Sequence, residues 1–348
     1  MKRHFTALLT LVALAATSAS AQTLPKTHLK VVGGLSNLTA YNDYEKPFWT
    51  NVVPNLSGGQ VTAEIKGFNE MGLKGPEILR LMSQGVIEFG TATLSYFASD
   101  NPINEAIDLA GLTSDAKGAR AVVEAFEPIY AKHYGPGSGI KILGISPYPA
   151  QVLFCNAEIK GLADIKGKKV RTSSRTQAEF IEALGGSSVT MAFGEVVPAM
   201  QNKVVDCAIT GSLSGYSAKW YEVATHLYTL PINWNSQIHG VNQKAWNKLD
   251  PKVQEFLQSN IKNMINNMWD AAAAQTQQGY DCNTGAAACA NPVKGKMVLV
   301  KPSDADRALL KKIMQGQVLP KWAARCSATC VQDFNATVSK VVGLTAKK

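Results

Sequence analysis

Strand and helix signals alternate along this chain, break off, and start again near residue 148; that double rhythm limits its possible folds more than any other feature. In the first half, residues 29–32 form a short β-favouring run that ends at Gly33 and Gly34. A polar turn follows over residues 35–39, and a helical segment begins near Tyr44. Residues 61–67 read as a strand, residues 76–84 as a helix with Ile78, Leu79, Leu81 and Met82 on one apolar face, and residues 86–90 as a third strand. In the second half, residues 141–146, 150–155, 169–172, 188–191 and 205–210 read as strands, with helices at 177–184 and 193–201. Strands that alternate with helices predict a parallel sheet, so two α/β units are expected.

One further segment points to how the units are joined. From residue 251 to 280, Val253, Phe256, Leu257, Ile261, Met264, Ile265 and Met268 recur at three- and four-residue steps. As a single helix this stretch would run about 45 Å, enough to brace both units at once. Two helices joined by an unmarked bend are the alternative. A chain of 348 residues also exceeds what one core usually fills. The expected partition is residues 27–148 plus 237–275 for domain I and residues 149–236 plus 276–348 for domain II.

The N-terminus carries Lys2 and Arg3, then an apolar run from Phe5 to Ala16, then Ala19, Ser20 and Ala21. A basic start, a short apolar stretch and small residues at the cleavage point predict a signal peptide over residues 1–21, cut after Ala21, and hence a periplasmic mature protein. No later run is long and apolar enough to predict a spanning helix. Hydrophobic residues make up 46% of the chain and charged residues 18%, which excludes a disordered or fibrous class. The formal net charge is +9, two less without Lys2 and Arg3. Its lysines are dispersed, with dense clusters only at residues 166–171 and 311–312, so no basic stripe predicts nucleic-acid binding, and the charge leaves an anionic membrane or an acidic solute as partners.

Six cysteines in an exported chain favour disulfides over free thiols, and they allow about fifteen pairings. The preferred set joins Cys155 with Cys207, Cys282 with Cys289, and Cys326 with Cys330. The histidines show no zinc spacing around these cysteines, and neither a metal nor a cofactor is expected.

Residues 162–223 carry a block set of high specificity. It comprises Ala163-Asp164-Ile165-Lys166-Gly167-Lys168-Lys169-Val170-Arg171, Ala183-Leu184-Gly185-Gly186, Met191-Ala192-Phe193-Gly194-Glu195-Val196, Gln201-Asn202-Lys203-Val204-Val205-Asp206 and Lys219-Trp220-Tyr221-Glu222-Val223. In order and spacing these blocks resemble the solute-binding subunits of tripartite ATP-independent periplasmic (TRAP) transporters, of the dicarboxylate-binding (DctP) type. A weaker likeness extends from Lys30 to about Leu257. The resemblance implies a periplasmic binding protein fold: two α/β domains around a cleft, interdomain strands, and a long spanning helix. It also implies capture of a small organic anion and its delivery to TRAP membrane permease subunits, by a protein expected to be a monomer and not an enzyme.

The resemblance assigns a carboxylate-holding role to Arg171, and physics agrees, because a guanidinium offers two parallel N–H donors to a carboxylate. It places Phe193 against the ligand. Many relatives have a second arginine where this chain has Gln151; those that bind acidic sugars have an asparagine where it has Thr210 and a glutamate where it has Thr93. The expected ligand is therefore a monocarboxylate with an apolar or aromatic body rather than a sugar acid. Further candidate contacts are Ser36 and Asn37 after the first strand, Trp234 and Asn235 at the second crossing between domains, and Arg175 four residues beyond Arg171. Cys155–Cys207 is expected close beneath the cleft, stiffening the site by about 3 kcal/mol.

The motifs that could suggest an enzyme have the wrong position or spacing. Gly135-Pro136-Gly137-Ser138-Gly139 precedes a strand, whereas phosphate-cradling glycines follow one, and Gly211-Ser212-Leu213-Ser214-Gly215 lacks the spacing of a nucleophile elbow. A periplasmic hydrolase acting on small esters or amides is the alternative class, since catalytic triads assemble in space.

Overall fold

The structure, a computed structural model, describes residues 24–135 and 137–348; the leader with its cleavage point, and Pro136, lie outside the described residues. Eleven strands are described: β1 Thr27–Gly33, β2 Val61–Gly67, β3 Phe89–Thr93, β4 Ile140–Ser146, β5 Gln151–Cys155, β6 Lys169–Thr172, β7 Ser187–Thr190, β8 Cys207–Gly211, β9 His226–Asn233, β10 Gln237–Asn242 and β11 Val298–Val300. They form two sheets, ordered β2-β1-β3-β10-β4 and β11-β9-β5-β8-β6-β7. Each sheet with its helices forms one lobe. The chain crosses between lobes twice, from β4 to β5 through residues 147–150 and from β9 to β10 through residues 234–236.

The sheets are not purely parallel, which corrects the sequence expectation. Strand β10 runs antiparallel to both β3 and β4, and β5 runs antiparallel to both β8 and β9. These two are the strands that follow a crossing. A strand reached through a packed helix starts at the outer edge and runs toward the cleft, whereas a strand entered from the other lobe starts at the cleft and runs away. The C-terminal ends of β1, β3, β4, β6, β8 and β9 and the N-terminal ends of β5 and β10 therefore all face one gap. Ligands of open α/β sheets bind at such carboxyl ends.

The long helix is continuous from Pro251 to Thr284, with no bend dividing it. The Asp250 side chain accepts the Lys252 N–H at its start, and Gly285 ends it at φ 77°, a conformation glycine adopts without strain. Gln258 and Trp269 donate to the carbonyls of Leu143 and Ile145 in β4. Further along, Thr276 accepts the Ala150 N–H, and Asn283 donates to the Ser212 carbonyl of the second lobe. One rigid rod is thus fastened to both lobes and to the first crossing.

The rod approaches the second lobe at Gly279, where a Cβ would collide with the backbone at Ser212 and Leu213. Backbone cannot move aside as a side-chain tip can. Gly279→Ala is expected to cost about 3 kcal/mol, read as a shift in the chemical denaturation midpoint.

Beyond residue 291, where the sequence offered no reading, helices Asp304–Ile313, Leu319–Arg325, Ala328–Ala336 and Val338–Val342 wrap back over both lobes. Arg325 meets Glu105 of the first lobe at 3.1 Å and also pairs with Glu179 of the second, so the tail joins the lobes in addition to the two crossings and the long helix. Two smaller differences concern boundaries. Strand β3 begins at Phe89 rather than at Val86, because Gly85 turns the chain at φ 77° and leaves Val86 exposed. The helix expected at 193–201 is a single turn, Phe193–Glu195, followed by Val196–Gln201.

The three preferred cysteine pairs are the ones formed. Their placement differs from expectation in one respect. Cys155 and Cys207 face each other at the end of β5 and the start of β8, while the cleft lies at Gln151 and Gly211. Four residues of strand, about 13 Å, separate the bridge from the site. It staples two central strands of the second sheet at their end away from the cleft and does not underlie the cleft.

Candidate functional site

Where the strand ends converge, a cavity with about 20 Å³ of free space is lined by Leu35, Leu38, Thr93 and Tyr96 of the first lobe, Tyr148 and Asn235 of the two crossings, and Gln151, Arg171, Ser173, Phe193, Thr210 and Ser214 of the second lobe. The lining residues sit at strand ends facing the gap or in the turns that follow them. That position, more than residue type, marks the site.

Arg171 dominates its chemistry. The side chain is 1% exposed, at the end of β6. Its Nε and Nη2 donate to the Met191 carbonyl at 3.1 and 3.0 Å, and its Nη1 donates to the Ile209 carbonyl at 2.7 Å. These bonds occupy three of the five donors a guanidinium carries and lock its plane. Among the described residues no carboxylate pairs with it. Burial pulls its pKa down to about 10, which still leaves it charged at neutral pH. A buried, immobilised and uncompensated cation is costly to keep unless something arrives to neutralise it.

An aromatic bed supports the guanidinium. It lies 5.9 Å from the Trp220 ring centroid, and Phe193 stacks on the same indole at 5.4 Å. Phe154 packs edge-on behind at 5.3 Å. Opposite, Tyr96 and Tyr148 close the first-lobe side, both with pKa values raised by burial, so they present neutral phenols.

A network of buried amides and hydroxyls sets the second crossing. Asp108 accepts the Trp234 N–H at 2.8 Å and an Asn233 side-chain N–H at 2.9 Å. Asn233 in turn accepts from Gln177 at 2.8 Å, and Gln177 accepts from the N–H and hydroxyl of Ser173 at 2.9 and 3.1 Å. Asn235 donates to Ser173 at 3.3 Å and accepts from Ser95 at 3.0 Å, holding a φ of 55° that asparagine tolerates better than most residues. Groups from both lobes and the crossing are thus wired together around the cavity. Burial pushes the Asp108 pKa up to about 7.

Six of the candidate residues, Arg171, Phe193, Gln151, Thr210, Thr93 and Asn235, meet in this cavity. Four do not. Ser36 turns outward, its hydroxyl accepting from Asn69 at 3.1 Å, and Asn37 is exposed; the same turn instead sends Leu35 and Leu38 inward. Trp234 faces away from the cavity, toward Thr276 and Tyr280 of the long helix. Arg175 stands at the cleft mouth, 63% exposed and 3.6 Å from Glu179. Leu35, Leu38, Tyr96, Tyr148, Ser173 and Ser214 were missed. Their shared signal, a place just past a strand end, could have found Leu35, Ser173 and Tyr148.

Glu195 accepts the Ala192 N–H and meets Lys74 of the first lobe at 3.1 Å across the mouth, a local bridge between exposed groups. The Ser146 hydroxyl lies 2.8 Å from His239 Nε2, with Thr91 on Nδ1 at 3.1 Å, which superficially suits a hydrolase. Ser146 is fully buried inside the first sheet, however, and burial holds the His239 pKa down at about 4. No substrate reaches that pair, so it lends the hydrolase alternative no support. Among the described residues, no group of three or more His, Cys, Asp or Glu is gathered as for a metal, and no helix is long and apolar enough to cross a membrane.

A family model described as DctP, bacterial extracellular solute-binding protein, family 7, matches residues 37–321. Two curated proteins are similar over 57% of this chain: the ectoine-binding periplasmic protein TeaA of Halomonas elongata, 22% identical, and the 2,3-diketo-L-gulonate-binding periplasmic protein YiaO of Escherichia coli, 24% identical. The chain spans about three fifths of their length, 59% and 61%. Among solved structures, the sugar acid binding protein DctPAm from Advenella mimigardefordensis in complex with galactonate superposes with a TM-score of 0.80 at 17% identity, covering 91% of this chain and 99% of that one. A TRAP periplasmic solute binding protein from Desulfovibrio salexigens with bound orotic acid gives 0.79 at 19% identity, covering 90% and 99%. The Bordetella pertussis receptor DctP6, which binds pyroglutamic acid, gives 0.77 at 23% identity, also covering 90% and 99%. At these identities the likeness establishes the fold.

Proposed function

The chain belongs to the DctP family, the bacterial extracellular solute-binding proteins of family 7, and from that premise we propose that it captures a small organic acid between its lobes and passes it to the membrane permease subunits of a TRAP transporter. One observation carries the reading: a buried guanidinium, fixed by two backbone carbonyls and lacking a carboxylate partner among the described residues, lines a cavity shared by both lobes. At an effective dielectric near 20, a carboxylate drawn to within 4 Å of it gains about 4 kcal/mol. Lobe closure then follows from differential contact, since both lobes reach the solute only when shut. Orotic acid, pyroglutamic acid and galactonate, held by proteins of similar fold, all carry a carboxyl group.

Arg171 is the one charged residue among the twelve that line the cavity, beside six neutral polar and five apolar or aromatic side chains. A single fixed charge, with neutral Gln151, Thr93 and Thr210 where sugar-acid binders are expected to carry charged or amide anchors, favours a monocarboxylate over a sugar acid. Capture, not catalysis, is the proposed role, by a periplasmic monomer exported with its leader cut after Ala21. The two lobes are proposed as residues 27–148 plus 237–275 and 149–236 plus 276–348.

A thermal-shift screen of small organic acids tests this. An acid present at about a hundredfold excess over its Kd should stabilise the protein by about 2.7 kcal/mol, which reads as a clear rise in Tm. A rise only with neutral solutes, or only with dicarboxylates and sugar acids, contradicts respectively the capture of an acid or its monocarboxylate character.

A further inference from the structure

Gln151 stands at the N-terminal end of β5, 2% exposed, and lines the cavity with Arg171. Its Nε2 donates to the Pro149 carbonyl at 3.1 Å, which fixes the orientation of the amide, because an oxygen in that place would face another oxygen. The amide Oε1 is buried and has no hydrogen-bond partner. Serine, threonine and tyrosine hydroxyls around the cavity can rotate to give or to take a hydrogen bond, but an amide oxygen only accepts. A buried acceptor left unmet is costly, and such groups in folded proteins have an explanation.

We infer that Gln151 selects for acids carrying an N–H or O–H donor in addition to their carboxylate. This deepens, and rests on, the acid-capture reading above. Gln151 and Arg171 stand on strands either side of β8, where they pair with Gly211 and Ala208. Two strand spacings across and three residues along put their Cα atoms about 14 Å apart; the odd offset starts the two side chains on opposite faces of the sheet, but both stand at strand ends that line the same cavity. The carboxylate goes to the two free guanidinium donors, and the donor at the far end of the solute goes to the Gln151 oxygen. The class implied is a short hydroxy, acylamino or lactam acid with one negative charge. A second carboxylate is excluded, because it would set an oxygen anion against an oxygen acceptor.

Two matched pairs of probes test this by isothermal calorimetry on the full mature chain: lactate against 2-methoxypropanoate, and N-acetylglycine against N-acetyl-N-methylglycine. Each pair keeps the carboxylate and replaces the donor hydrogen by a methyl group, so a purely steric preference would persist in Gln151→Leu whereas one due to the donor would not. In at least one pair the donor-bearing acid should bind at least about tenfold more tightly. In Gln151→Leu, of similar volume, that ratio should fall to about one, and a melting curve establishes that the variant is folded. Equal affinities within both pairs in the unaltered protein overturn the inference, as does a ratio that persists in Gln151→Leu. Should the variant fail to fold, the unaltered protein still decides through the two pairs. Binding of these acids without discrimination defeats the role of Gln151 alone, whereas failure of every acid alongside tight binding of an uncharged solute defeats the acid-capture reading and takes this inference with it.

Discussion

Arg171→Ala is expected to weaken solute binding by at least about 30-fold, or 2 kcal/mol, in calorimetry at neutral pH. The size follows from where the carboxylate would be left. In a cleft shut against water, an anion without its cation keeps its desolvation cost and loses the attraction that offset it. Arg171→Lys should recover only part of the loss. A lysine keeps the charge, but it lacks the planar fork that lets Nε and Nη2 hold the Met191 carbonyl while other donors face the solute. Unchanged affinity in Arg171→Ala would place the solute elsewhere.

Asp108→Ala should cost the frame about 3 kcal/mol of folding stability near pH 7 and more at lower pH. Truncation strands the Trp234 N–H and the Asn233 amide inside the protein, each an unmet buried donor. The loss should depend on pH in a defined direction. Burial raises the folded-state pKa of Asp108 to about 7 from an ordinary value of 3.8, so between those limits the folded chain binds a proton that the unfolded chain does not. Stability from this group is therefore fully present at low pH and is lost as pH rises toward about 7, by about 1.4 kcal/mol per unit. The variant lacks that proton. The gap between unaltered protein and Asp108→Ala should thus widen from pH 8 to pH 5, measured by denaturant unfolding. Glu45 and His239, which also titrate with shifted values, are common to both proteins and cancel in the difference. A gap that narrows toward pH 5 would mean that the Asp108 carboxyl is ionised throughout.

Much of the fold could be read from residue patterns because those patterns are local. Strand β2 was read to its exact limits, and the long helix announced itself through seven apolar residues on one face. The reversed direction of β5 and β10 could not be read, since direction depends on which lobe the chain has just left. The tail after residue 291 was opaque for a related reason: its helices are short and bury their faces against distant partners such as Glu105 and Glu179.

The site divides in the same way. Arg171 and Phe193 sit in blocks with a strong family resemblance, and Gln151 and Thr210 stood out by departing from it. Ser36 and Asn37 stand out by polarity, but the turn closed by the Leu38 N–H on the Leu35 carbonyl puts residues three apart on one side, so Leu35 and Leu38 take the inward places. Tyr96 gives no signal of its own, and Tyr148 only its place two residues past the end of β4. Asp108, buried three connections away in the Asn233–Gln177–Ser173 chain, is visible only once the chain is folded.

The central claim is that a fixed guanidinium between two lobes receives the carboxylate of the solute. A crystal structure of the protein purified with its solute bound tests it most directly. The account predicts closed lobes with a carboxylate oxygen within hydrogen-bond reach, about 2.7–2.9 Å, of the Arg171 nitrogens. A solute seated outside the cavity, or inside it with no anionic group toward Arg171, would contradict it.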